Sequence, residues 1–597
     1  ELDQMMEEAR EKLTAIKPGV GQDTDLADAI DNGIIALEEY HKRLVKENPD
    51  LTDDQKLQLE NVLTAWKEKL ETAESEDDVR LLVRDGKDAL EDEIASFTAD
   101  KKLEEVRANA VQVLTDYRAS ETYDVVWMHK IKLVRDGFIR DLQKAQTVAE
   151  LNKLLEQAKN EIDAIIDQIP ETGAWDGVTK TEPKADENGV YQITSGDELA
   201  WFADQVNQGK GSLNAVLCND ISLGGKYWTP IGKSADKTFS GTFDGQGHVI
   251  RGLYQDVESD FTGLFGAVRG AGASVSHLTV SGNIKLGGRV TYVAGIAGYV
   301  AGKNSDAKAQ ITDCHSKVSI TVTGIRTLDA GVAGVAGYST NAKITNCSNE
   351  ATVEIVSAGR GGLTYYAGGI VGVARTGCQI EACTNKGTVW SAHAAGGLIG
   401  GILTSDISCR SSYNAGDISG LYYAGGICGV MLNDTAEFNR CYTSGTVNAK
   451  DSGLALGALF GRITGSKEMI LFALKRADNI GRTLVGSSGD FSACGKFVSE
   501  KELKSDDMLN NLNAGGNQYI HDYLGFQNGY PILAWEMTLE DFQAGSISSL
   551  NSSVSEADYT AENWKQVQKI LADAADRIHQ AADMEAVDAI RTETQTA

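Results

Sequence analysis

Apolar residues recur every three or four positions through the first 170 residues, which predicts amphipathic helices near 23–47, 53–73, 76–95, 99–119, 122–146 and 149–168. Two of these segments match at a constant offset. Val79, Leu82, Gly86 and Leu90 correspond to Leu151, Leu154, Ala158 and Ile162, and one helix earlier Val62, Trp66 and Leu70 correspond to Val134, Phe138 and Leu142. Each repeat of about 72 residues therefore reads as a three-helix bundle, with a small residue at 86 or 158 where a neighbouring helix comes close. Thr52-Asp53-Asp54 and Ser75-Glu76-Asp77-Asp78 supply polar residues suited to cap helix starts. Leu2, Met5, Ala9 and Leu13 fit the register of a last helix, and Trp564, Val567, Leu571 and Ala574 with Val587 and Ile590 that of middle and last helices. The chain thus reads as a piece of a longer modular protein, without an initiator Met or a signal segment of its own.

Between about 175 and 540 the period changes to that of short strands punctuated by Gly. One half of a repeat reads Ala-Gly-Gly-Ile-x-Gly, clearest at 367–372, 395–400 and 424–429, with looser copies from Ala294 and Ala333. The other half reads Ile-x-x-Cys-x-Asn-x-Gly-x-Val, at Ile344 to Val353 and Ile380 to Val389, and more loosely around Cys314, Ser412 and Cys441. Repeats of about thirty residues holding two or three strands suit a right-handed parallel β-helix, in which each coil stacks about 4.8 Å above the last. The Cys column (Cys314, Cys347, Cys383, Cys441, with Ser412) and the Asn column (Asn349, Asn385, Asn414) are then interior ladders serving the fold.

These repeats resemble the GLUG-motif β-helix of Gram-positive surface and secreted proteins, including non-catalytic parts of some immunoglobulin A metallopeptidases. Tyr191 to Ala203, Trp228 to Gly232 and Gly241 to Ile250 resemble the opening segment of such helices, and Asn528 to Trp535 their closing segment. The flanking helices are similar, more loosely, to FIVAR-type spacer modules. The implied division is 1–21, the last helix of a truncated bundle; 22–97 and 98–170, three-helix bundles; 171–189, a linker; 190–540, the β-helix; 541–558, a linker; and 559–597, the start of a further truncated bundle.

Composition removes several functions. A formal charge of −29 repels phosphate backbones and anionic headgroups, so nucleic acid and membrane surfaces are poor partners, and no apolar run is long enough for membrane insertion. Sixty-three Gly against 6 Pro excludes collagen and Pro-rich stalks, and 9 Cys without a CxxC pair indicates neither a disulfide framework nor a zinc site. HExxH and a phosphate-cradling loop are lacking, and the acids within the repeats, Asp313, Asp329, Asp406, Asp417, Asp434 and Asp451, form no DxD or DD pair, so the expectation is no enzyme, no metal and no cofactor within 1–597. The binding candidate is an aromatic column two positions before the repeat's Ala: Tyr292, Tyr365, His393 and Tyr422, with Tyr366 and Tyr423 beside two of them. Stacked rings facing solvent suit sugar faces. The expectation is an extracellular or cell-surface stalk and adhesion segment, its partners glycan or host extracellular protein together with neighbouring domains of its own chain. The alternative is the accessory, substrate-positioning region of a secreted hydrolase whose catalytic domain lies elsewhere.

Overall fold

The computed structural model describes residues 24–48, 51, 53–117, 125–166, 174–257, 259–288, 290–323, 325, 328–356, 364–432, 435–449, 455–464, 469–476, 483–487, 492–514, 516, 518–555 and 559–596. The expected helix over 1–17 lies outside them, as does Thr52. The chain forms two compact units, 1–163 and 164–597.

In the first unit, helices Thr24–Glu47, Asp53–Glu71 and Glu76–Asp116 surround a core of Leu37, Leu59, Leu63, Leu70, Val79 and Leu90. Gly86 stands where a Cβ would lie 3.1 Å from both Leu37 methyls, which is the close approach its position predicts. Ser75 caps the third helix by accepting from the Asp78 N–H. That helix differs from expectation: the segments 76–95 and 99–119 are one helix of 41 residues. No Gly or Pro falls between 88 and 116, so nothing interrupts the i to i−4 ladder between the two repeats. Helices Val125–Leu142 and Val148–Ile166 follow, burying Ile131, Leu142, Leu151, Ala158 and Ile162.

The second unit is a parallel β-solenoid of about seven coils. A wide sheet of 21 strands forms one wall, and two narrow sheets of seven strands each form the others. The first narrow sheet runs from Phe261–Thr262 to Ala455–Gly457, and the second from Phe265–Arg269 to Phe460–Ile463. In each coil the Ala-Gly-Gly-Ile-x-Gly half makes the two narrow strands and the Cys-x-Asn half the wide one. Register follows the sequence repeat, with Ile344 beside Ile380 and Val353 beside Val389. Helix Gly196–Asn207 plugs the opening end, setting Phe202 against Phe239 and Phe243.

The Cys column lies in the apolar interior, and all nine cysteines are free thiols. Burial raises the Cys347 and Cys383 thiols well above their usual range, so they remain protonated hydrocarbon-like fillers. The Asn column is a continuous ladder. Asn349 Nδ2 donates to Asn385 Oδ1 (2.8 Å), Asn385 Nδ2 to Asn414 Oδ1 (2.7 Å), and Asn414 Nδ2 to Thr443 Oγ1 (3.1 Å). Each amide also serves the carbonyl two residues ahead, Ala351, Gly387 and Gly416 respectively. Across the core the ladder meets the corner between the narrow sheets. A Cβ on Gly334, Gly369 or Gly397 would overlap the amide of Asn349, Asn385 or Asn414. The two halves of the repeat are thus complementary: a corner without a side chain makes room for the amide that satisfies the turn opposite.

The outer face of the wide sheet is covered by the chain's own closing segment. Trp535 stacks on His315 with ring centroids 5.0 Å apart, and its Nε1 donates to Ala382 O at 2.9 Å. Tyr413, stacked on Tyr442 at 4.9 Å, donates its hydroxyl to Glu536, whose carboxylate also pairs with Lys386 at 2.8 Å. Beyond this strap, helices Leu539–Ser552, Ala561–His579 and Met584–Thr596 share a core with Ile520 and Ile532. The first of these occupies most of the expected 541–558 linker. Its sequence, with one Gly and four Ser, is a poor helix former, and its helicity comes from tertiary packing of Phe542 and Leu550 and from Gly545 lying against Tyr523.

Two predictions follow from these contacts. Asn385→Ala leaves Asn349 Nδ2, Asn414 Oδ1 and the Gly387 carbonyl short of a partner, so urea unfolding monitored by circular dichroism is expected to show a loss of about 3 kcal/mol. Acidification is expected to weaken the strap. Burial depresses the His315 pKa, opposed by Glu350 and Asp313, so below about 6.5 the unfolded chain binds the extra proton and stability falls with pH. His393 and His521 are depressed by burial too, so the diagnostic is a melting-temperature decline between pH 6.5 and 5 that is shallower in His315→Gln than in wild type.

Candidate functional site: the aromatic groove between the narrow sheets

The two narrow sheets meet at an acute corner because glycines let their backbones approach. A Cβ on Gly400, on the second sheet, would sit 2.8 Å from the Ala367 carbonyl carbon of the first. Outward from that corner the sheets diverge and leave a groove. Period two places Phe261, Tyr292, Gly331, Tyr366, Ala394, Tyr423 and Ala455 in one column on its first wall. The facing wall carries Ala267, Tyr299, Tyr338, Val373, Gly401, Val430 and Arg462.

Large and small residues interlock across this groove. Tyr366 lies where a Cβ on Gly401 would overlap its ring, and Val373, Ala394 and Val430 complete a buried apolar cluster around it. Nearer the opening end, Phe261, Tyr292, Tyr299 and Tyr338 form a continuous plate. Phe261 and Tyr292 are parallel at 6.0 Å, Tyr292 and Tyr338 are 4.6 Å apart, and Tyr299 stacks on Tyr338 at 4.9 Å. The three tyrosines are half-buried, and their hydroxyls have no hydrogen-bond partner among the described residues. Burial raises the Tyr292 hydroxyl and pushes that of Tyr338 up to about 12, so both are protonated donors at neutral pH.

The expected column is divided by this register. Tyr292 pairs with Gly331 and so falls in line with Tyr366 and Tyr423, one position away from Tyr365, His393 and Tyr422. The shift arises because Ala294 aligns with Gly368 rather than with Ala367. Tyr365 belongs to the solenoid core and is 2% exposed, His393 is half-buried with its Nδ1 3.1 Å from the Tyr365 carbonyl oxygen, and Tyr422 is 40% exposed. Tyr299 and Tyr338 were not anticipated, although a signal exists: each directly follows the last Gly of its repeat half, at Gly298 and Gly337.

Two polar clusters outside the plate are structural. His277 bridges Asp244 (2.9 Å) and Asp313 (3.5 Å), and His248 and Arg251 hold Asp220 at 3.1 and 3.2 Å. Burial works against the Asp220 carboxylate, yet the Val249 N–H, the His248 hydrogen bond and the Arg251 guanidinium keep it below the usual range. Both imidazole nitrogens of His277 are committed to pinning successive coils. Among the described residues no group of three His, Cys, Asp or Glu is arranged to hold a metal, and no helix is long and apolar enough to cross a membrane.

No family model matches the chain, and no curated protein matches it. The GLUG-motif and FIVAR-type names therefore rest on the resemblance alone. Among solved structures, a candidate immunoglobulin A1 protease from Bacteroides ovatus is similar with a TM-score of 0.36 and 17% identity, over 60% of this chain and 95% of that one. A second structure, named IgA1 protease, has a TM-score of 0.36 and 20% identity over 55% of this chain and spans 24% of its own length. The expectation of no enzyme is corrected by these names, since both similar structures are designated proteases, and it is not carried forward.

The interlock predicts a coupled pair. Gly401→Ala is expected to cost about 2 kcal/mol or more in the wild-type background by forcing the Tyr366 ring aside, and clearly less in a Tyr366→Ala background. Urea midpoints of the four proteins of that cycle measure the coupling, and strict additivity would refute the contact.

Proposed function

We propose that the solenoid holds carbohydrate on the Phe261–Tyr292–Tyr299–Tyr338 plate, as the substrate-engaging part of a secreted hydrolase that acts on glycosylated material. The observation that carries this reading is the plate itself: four rings in contact, half-open to solvent, with three phenolic hydroxyls that have no partner among the described residues. Pyranose rings present an apolar C–H face and a polar rim, and an array of aromatic faces with donors at their edges complements both. The wide sheet offers no comparable surface along the strap, where Tyr413 and Tyr442 are fully buried. The chain's acidity supports a neutral or weakly charged ligand over phosphate-bearing ones. An extracellular setting belongs to the same proposal; interior thiols held protonated by burial suit it because they are protected from oxidation.

Glycan-array screening followed by calorimetry on wild type and a Tyr299→Ala/Tyr338→Ala double variant tests the reading. Loss of two stacking rings is expected to weaken binding at least about ten-fold. Equal affinity in both proteins, or no binding by wild type, rejects it. New peptide or glycan termini after incubation with a bound glycoprotein, read by mass spectrometry, would register the hydrolase part.

A further inference from the structure

Beside the plate, an ion pair spans the mouth of the groove. Asp329 occupies the turn that leads into strand Ala330–Ala333, two residues before Gly331, and its left-handed backbone (φ 54°) lets the carboxylate reach the groove mouth. Arg375 stands two residues beyond Val373, the neighbour of Tyr338, on the outer face of the second narrow sheet. Arg375 Nη2 donates across the groove to Asp329 Oδ2 at 3.1 Å, and Thr364 Oγ1 donates to Asp329 Oδ1 at 2.8 Å. Both side chains keep roughly a third of their surface in solvent, 30% for Arg375 and 39% for Asp329. Each Asp329 oxygen thus retains a lone pair, and the other guanidinium N–H groups have no partner among the described residues.

We propose that this pair selects the sugar: Asp329 and Arg375 together read a vicinal diol of a neutral hexopyranose seated on the ring plate. The inference rests on the carbohydrate reading above and adds the class of sugar to it. Adjacent hydroxyls can donate to the carboxylate while accepting from the guanidinium, so a fixed acceptor beside a fixed donor matches a diol better than an isolated hydroxyl. The pair is electrically neutral as a unit. A uronate or sialic carboxylate at the same place would face the Asp329 carboxylate. Preorganisation also favours this role, because Thr364 and the crossing ion pair already hold the carboxylate before ligand arrives.

Calorimetry on the whole chain with β-1,4-mannotriose, β-1,4-galactotriose, their 2,3-di-O-methyl derivatives and α-1,4-trigalacturonate provides the test. Wild type is expected to bind at least one neutral trisaccharide, to lose ten-fold or more on methylation, and to bind trigalacturonate at least ten-fold more weakly. Asp329→Asn and Arg375→Gln are each expected to weaken the neutral sugar about ten-fold while their melting temperatures stay close to wild type. Arg375→Lys, which retains charge without the planar fork, is expected to recover little. If either variant does not fold, the methylated sugars decide the matter on wild type alone. Equal binding of methylated and free sugars overturns the proposal. So does unchanged affinity in both pair variants when Tyr299→Ala/Tyr338→Ala loses binding, and that result leaves the plate reading standing. Absence of binding to every trisaccharide by wild type overturns the plate reading for these sugars and this proposal with it.

Discussion

The buried amide ladder of Asn349, Asn385 and Asn414 is the interaction from which most of the solenoid's geometry follows. Every coil turns a polar backbone inside a dry core, where an unsatisfied carbonyl costs roughly 1–3 kcal/mol. An amide in this place serves its own turn and the next coil at once. Its bulk excludes any side chain at the facing corner, so Gly334, Gly369 and Gly397 are required there. A corner stripped to backbone lets the two narrow sheets fold sharply against each other, and the sharp fold opens outward into the groove that the rings fill. The aromatic groove on the outside is thereby tied to a hydrogen-bond requirement on the inside. The ladder ends where the sequence ends it: Asn349 Oδ1 is unpaired because the preceding coil carries Ser316 at that position.

A second constraint overrides residue type altogether. His277, Asp313, Asn346, Ala382, Ser411 and Arg440 all adopt positive φ between 45° and 56°, each immediately before the residue at the Cys position of its coil. Only Asn, and to a lesser degree Asp and His, takes that conformation readily; for Ala and Arg it costs on the order of 1 kcal/mol. Stacking compensates, since a coil bending elsewhere would lose register with both neighbours along its whole length. The left-handed column is a property of the solenoid imposed on whatever residue occupies it, and no local preference announces it.

These two cases separate what the sequence discloses from what it conceals. Interior columns are legible because identical environments select identical residues, as with Cys347 and Cys383 or Asn385 and Asn414. The groove is less so, because its filling crosses between two sheets: Tyr366 of one takes the space left by Gly401 of the other, and Tyr292 packs on Tyr299 and Tyr338 opposite. Reading one wall alone gives a broken column and, with Ala294 mistaken for the equivalent of Ala367, one a residue out of register. Tyr365 and Tyr366 cannot be assigned to inside and outside from their order. The strap is illegible for a different reason, since Tyr413 meets Glu536 across 123 residues and Trp535 meets Ala382 across 153, with no repeat to relate them. Helix 539–552 hides likewise, its packing supplying what its serines and glycine lack.

The strap and the groove together decide where the solenoid can meet another molecule. A parallel solenoid has three walls, and the wide one, with the longest strands, is the natural place for a ligand cleft. Here Trp535, Glu536 and the segment around Tyr519 and Tyr530 take that face from the coil of His315 onward, and lifting them is costly because the buried Tyr413 would lose the Glu536 carboxylate that accepts from its hydroxyl. What stays accessible on the narrow sheets is graded along the groove: the rings are sealed at Tyr366 and half-open from Tyr338 back to Phe261. Accessible aromatic surface therefore coincides with the crossing of Asp329 and Arg375, the place where donor, acceptor and ring face lie within one or two coils of each other. A single side chain per coil cannot build such a site; it is assembled from Asp329 before the first narrow strand of one coil, Arg375 after the second narrow strand of the next, and rings on both walls, so departures from the repeat carry most meaning here.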